Sequence, residues 1–238
     1  MQMKSKLSSL FILSITFIVF TVVGTISHEY GHIIVAKYLG YETELHYGSM
    51  NYEDTSSELK LADSLVKKNE KAILNKKDFP DKEKLDKLWN TISFKHLMIT
   101  IGGPVQTILT GTIGFILLLF RRKKILENGM KILDWLYVFL SLFWLREVFN
   151  LTMSVASALL NGKKNYFGGD ERKIAIMLEI PQGSIAIPLA LIGLLIALFV
   201  IFRIIPKEQR LTFISSGFLG GIAGFILWMR ILGPIVMP

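Results

Sequence analysis

The chain has 238 residues, 51% of them hydrophobic, with a mean hydropathy of +0.46, more apolar than an ordinary soluble domain. Its net charge of +8 comes without a basic stripe of interleaved aromatics, which argues against a nucleic-acid partner and for loops facing anionic headgroups of a lipid bilayer. Cysteine is missing, so disulfides and thiolate metal sites are excluded and any zinc must use nitrogen and oxygen ligands.

An uncharged apolar run begins at Leu7 and leads into His28-Glu29-Tyr30-Gly31-His32. Lys4 and Lys6 ahead of it resemble the start of a signal peptide. The run to Ser27 is long for that purpose, about 20 residues, and no Ala-x-Ala site closes it, so an uncleaved first span is expected. The span is expected to reach Leu39, with Gly40 as its terminator. On a helix, His28 and His32 lie one turn apart and point the same way, so both can reach one metal ion. Glu29 sits beside them, placed to take a proton from an attacking water. Ionisable groups are costly at membrane depth, which makes this placement functional by default. Chance produces such a motif roughly once in a few hundred chains of this composition.

From Tyr41 to Tyr52 the residues alternate loosely. Thr43, Leu45 and Tyr47 share one parity and Glu42, Glu44 and His46 the other, which predicts a short strand or hairpin. Residues 53–95 are a charged extramembrane insert, helical in parts. Leu61 with Leu65, and Leu85 with Leu88, are spaced for one helix face, and Pro80 suits an early position of the second helix. The simplest reading of this insert is a solvated face.

Leu97 to Phe120 is a second uncharged run, carrying Gly102-Gly103-Pro104 near its start and closed by Arg121-Arg122-Lys123-Lys124. A third apolar stretch, Ile132 to Leu160, is interrupted by Asp134, Arg146, Glu147 and Asn150, with Arg146 and Glu147 expected to form a structural pair. A polar loop from Asn161 to Glu179 holds Gly168-Gly169-Asp170. Further spans are expected over about Ser184 to Ile205 and Leu211 to Met229. The sum is an all-α membrane protein: about five transmembrane helices, a short membrane-associated strand or hairpin, and one membrane-embedded domain over 1–238. The oligomeric state is not legible.

The basic residues Lys4, Lys6, Arg121 to Lys124, Lys131, Lys207 and Arg210 fall on one side of the membrane in this scheme. By the positive-inside rule that side is the cytoplasm, with the N-terminus in it, at the cell membrane. The far end of span one and the loop after the third stretch then share the opposite side, where His28, His32 and Asp170 can meet.

A hydrolytic zinc site uses three protein ligands. Asp170, Glu171, Glu147, His46 and His96 are the candidates for the third. Asp170 is favoured by the topology and by the double glycine, which lets backbone come close.

His28 to His32 at the end of a first span, Gly103-Pro104 in a following one, Asn150-Leu151 in a third and an Asp after it together resemble the site-2 protease family of intramembrane zinc metalloproteases. The run from His28 to Gly40, with Ala36 and Leu39-Gly40, has the same look, and the resemblance covers roughly Leu7 to Pro181. It implies that His28, His32 and Asp170 bind Zn2+ and that Glu29 activates water. The chain departs from the family in having Thr107 where Asn is frequent, in Glu171 after the Asp, and in the proline-free separation of Asn150 from Asp170.

The expected function is hydrolysis of peptide bonds in a membrane-protein or peptide substrate, within an integral, multi-pass membrane protein. Gln106, Asn150, Gly103 and Pro104 are candidate substrate-binding residues. Their alternative roles are interhelical hydrogen bonding for the two amides, and close packing or a kink for the Gly-Pro pair. The alternative function is a non-proteolytic membrane zinc protein that binds client peptides or regulates a complex. A transporter is a weaker reading, because the spans show no paired broken helices.

Overall fold

An apolar run free of proline gives a helix no reason to stop, and α1 extends unbroken over Gln2–Tyr38. The computed structural model describes residues 2–162 and 166–238, with side chains from Leu7 onward, so the Lys4 and Lys6 side chains counted above lie outside it. Helix α1 ends as expected at Gly40, whose φ of +87° is a left-handed conformation that glycine adopts without strain. Gly40 N–H donates to Lys37 O and Tyr41 N–H to Ala36 O, the paired bonds that cap such an end. The chain then forms the expected hairpin, β1 (Glu42–Leu45) antiparallel to β2 (Met50–Glu53), with Glu42 opposite Glu53 and Leu45 opposite Met50. Its turn is tied to the C-terminal segment: Tyr47 N–H donates to Met237 O, and Trp228 Nε1–H to Tyr47 O.

The insert contains α2 (Ser57–Lys68) and α3 (Glu70–Leu74), and its second half belongs to α4 (Lys82–Asn128). Pro80 lies in the turn ahead of the Asp81 N-cap, just outside the helix. At 1.5 Å per residue the 47 residues of α4 span about 70 Å, more than twice a ~30 Å hydrocarbon layer. Its N-terminal part therefore serves as a mast for α2, where Ala62 and Leu65 pack on Leu85 and Ile92 and Lys95 pairs with Glu58 at 2.7 Å. The insert thus has a small core of its own rather than a wholly solvated face.

About five spans were expected. Among the described residues four helices are long and apolar enough to cross a membrane: Leu7–Tyr38, Lys82–Asn128, Gly183–Ile204 and Lys207–Val236. The stretch from Ile132 to Leu160 drops out because it is broken into α5 (Ile132–Ser141), a 3-10 turn (Leu142–Trp144) and α6 (Leu145–Leu160). Neither helix reaches the ~20 residues a crossing requires. The break lets Trp144 lodge against Gly111 of α4, with its Nε1–H donating to Thr112 Oγ1 at 3.2 Å. A short helix, α7 (Gly169–Met177), precedes α8 (Gly183–Phe199), which continues as a π turn to Ile204. Helix α9 (Lys207–Ile226) follows. With 81% of residues helical and, among the described residues, one two-stranded sheet, the fold is all-α.

Helices α1 and α4 are antiparallel: Gly31 meets Gly102 and His28 meets Thr107. Helix α9 runs parallel to α1 on another side, with Gly220 against Ser14, Gly224 against Ile18 and Thr21, and Ser216 Oγ–H donating to Leu10 O. The main apolar core, around Leu118, Val138, Phe139, Val200 and Phe213, lies toward the end of the molecule where α4 finishes. There Arg121 and the buried Asp134 form an ion pair.

Candidate metal centre

The motif helix can approach α4 closely because both contribute glycine at the crossing. A Cβ on Gly31 would strike Gly102 O and stand 2.7 Å from Gln106 Cβ, and one on Gly102 would strike Gly31 backbone. His28, Gly31, His32 and Val35 of α1 therefore lie directly against the part of α4 around Gly102 and Gly103. Pro104 removes one N–H from the α4 ladder and crowds the preceding turn. Ile99 O, in that turn, accepts a hydrogen bond from His32 Nδ1–H at 2.7 Å. His28 Nδ1 lies 2.9 Å from Thr107 Oγ1. A carbonyl only accepts, so Nδ1 of His32 carries the proton and its Nε2 lone pair is free; Thr107 can hold His28 in the same tautomer.

The double glycine delivers the third group. Gly169 has φ +72°, and the turn it permits starts α7 with Asp170 facing α1. Asp170 Oδ2 lies 3.0 Å from His28 Nε2 and 3.2 Å from His32 Nε2, and the two Nε2 atoms are 3.3 Å apart. A tetrahedral ion at about 2.0–2.1 Å from each ligand would separate them by about 3.3 Å. The triangle therefore has the edge lengths of a metal site, and His28, His32 and Asp170 could hold a metal ion. The space beside it is kept open by Gly103, whose Cβ would collide with His32 Nε2 and lie 2.6 Å from His28 Nε2. Lys173 Nζ takes the other oxygen of Asp170, Oδ1, at 3.2 Å.

Glu29 is buried beside the triangle, 6% exposed, and its Oε1 lies 3.9 Å from Arg146 Nη2. The expected Arg146–Glu147 pair is not formed: among the described residues the ion pair of Arg146 is with Glu29.

Scanned against family models, curated proteins and solved structures, the chain has no match.

The other ligand candidates lie elsewhere. His46 Nδ1–H donates to Pro238 O at the hairpin turn, and its Nε2 accepts from Asn51. His96 stands 3.5 Å from Asp54 and edge-on to Tyr52. Glu147 and Glu171 are buried within reach of each other, and neither joins the cluster. Asn150 Nδ2–H donates loosely to Glu171 Oε1 at 3.4 Å. Gln106 spends its amide N–H on Thr110 and leaves its carbonyl oxygen buried without a partner among the described residues. Pro104 is buried in α4. Sequence reasoning missed the contact of Thr107 with His28, since a hydroxyl in a span reads as helix-packing polarity, and the turn of Arg146 toward Glu29.

Proposed function

We propose that the chain is a zinc metalloendopeptidase of the site-2 protease kind, an integral multi-pass membrane protein that hydrolyses peptide bonds of transmembrane or membrane-associated substrates. The observation that carries this reading is a triangle of nitrogen and oxygen donors at tetrahedral spacing, with Glu29 buried beside it, on a helix apolar enough to cross a membrane. Two imidazoles whose Nε2 atoms face one point, together with one carboxylate, suit zinc. Bound there, zinc supplies a Lewis acid that polarises the scissile carbonyl and makes water more acidic.

Glu29 takes a proton from the attacking water as its oxygen bonds to the carbonyl carbon. It then delivers that proton to the amide nitrogen as the C–N bond breaks, leaving a carboxylic acid and an amine, which exchange the remaining proton to become carboxylate and ammonium. Gln106, with its uncommitted carbonyl, accepts from the backbone N–H of an unwound substrate segment, and Asn150, Gly103 and Pro104 contribute to the same binding surface. By the positive-inside rule, the basic residues at the end where α4 finishes support an N-terminus on the cytoplasmic face of a cell membrane.

The test is Glu29→Gln in protein reconstituted into bilayers, with membrane-protein fragments compared by mass spectrometry. Zinc should remain bound while the fragments made by wild type disappear. Wild type without zinc, or the same fragments from the variant, defeats the reading.

A further inference from the structure

We propose that Arg146 is the anion-binding residue of this site, the group that receives the negative charge built up on a carbonyl oxygen under attack. The inference rests on the peptidase reading above. Arg146 is the second residue of α6, just past the 3-10 turn, so the break that removed a span from this stretch also brings a guanidinium beside Glu29 of the metal-site motif. Its nearest charged partner is Glu29, with Nη2 at 3.9 Å from Oε1, an ion-pair distance too long for a hydrogen bond. Its Nε is buried with no partner.

A guanidinium offers five N–H donors, and a part-buried side chain that is 26% exposed should not leave them idle. Arg146 makes no hydrogen bond among the described residues, and its unpaired Nε is a donor awaiting an acceptor. The alternatives nearby are spent: Lys173 is exposed and bonded to Asp170 Oδ1, and the Gln106 amide N–H is bonded to Thr110. In hydrolysis the water oxygen bonds to the carbonyl carbon, the carbonyl π electrons move to its oxygen, and the water proton passes to Glu29. A guanidinium beside Glu29 loses one anionic neighbour as another forms. Donors fixed in advance where charge develops are among the largest contributions to such reactions.

The inference is tested on the full chain in detergent, loaded with Co2+ and titrated with acetohydroxamate, an anionic oxygen ligand, while cobalt absorption is followed. Imidazole, a neutral ligand, serves as the control. Arg146→Gln should keep its cobalt and its imidazole affinity but bind acetohydroxamate about tenfold or more weakly, with Arg146→Lys recovering part of the loss. An acetohydroxamate affinity within about twofold of wild type in both variants, or equal losses for both ligands, overturns the role of Arg146 and leaves the metal reading standing. Wild type that holds no cobalt defeats the metal reading itself, and this inference falls with it.

Discussion

Replacing Gly103 by alanine separates the demands of the helix from those of the metal. A Cβ there lies 2.6 Å from His28 Nε2 and in collision with His32 Nε2. An ordinary contact is about 3.5 Å, so both imidazoles must retreat, His28 by about 0.9 Å and His32 by more. They cannot do so freely, because Thr107 and Ile99 O hold the far side of both rings. Metal sites tolerate about 0.2 Å in ligand distance, so zinc affinity should fall about 100-fold or more, near 2.7 kcal/mol. The helix gains from the same change, since alanine is better than glycine in a helix interior by about 1 kcal/mol. Competition with a fluorescent zinc chelator measures the affinity, and circular dichroism measures helicity. Gly103→Ala should keep its helix and lose its zinc. Zinc affinity within about threefold of wild type, with helicity intact, would show that Gly103 does not shape the site.

Thr107→Val removes the acceptor of His28 Nδ1–H and should weaken zinc binding roughly 10-fold, with Thr107→Ser near wild type in the same competition; equal affinities for Val and Ser refute the contact. Gly31→Ala drives a methyl into Gly102 O and should destabilise the α1–α4 crossing by about 1–3 kcal/mol in detergent unfolding, so an unchanged midpoint counts against close backbone approach. Burial raises the Asp54 carboxyl, but the hydrogen bonds from Ser56 and the neighbouring His96 outweigh it and leave it below the ordinary 3.8. A depressed carboxyl stabilises above its ordinary value and loses that contribution as pH falls through 3.8 and below. Protection factors around Ser56, with the intrinsic pH dependence of exchange divided out, should therefore fall in acid for wild type and stay level for Asp54→Asn; parallel behaviour rules this out.

The histidine pair was legible because both imidazoles sit on one helix, where spacing along the chain fixes direction in space. Asp170 was legible through the double glycine; side-of-membrane counting reached the same answer only by taking Ile132 to Leu160 as one span, which the structure breaks in two. The broken stretch before it was not, since apolar composition is the same whether Leu142 to Trp144 continue an α-helix or tighten into a 3-10 turn. That turn is decided by the seat Trp144 finds on Gly111, a contact between residues far apart in sequence. Arg146 was misread for the same reason: adjacency suggested Glu147, whereas the turn redirected the side chain to Glu29. The insert looked solvated because its charges hide a narrow stripe, and only the length of α4 provides the surface on which Leu65 is buried.

The order in which the triangle's corners leave the ribosome has a consequence for biogenesis. His32 precedes Asp170 by 138 positions, and α9, which clamps the opposite flank of α1, comes later still. A nascent chain halted before α7 already carries both imidazoles and Glu29 but has no third corner. The incomplete polypeptide is thus chemically disarmed while it is threaded into lipid, and the centre closes only after most of the molecule has been synthesised.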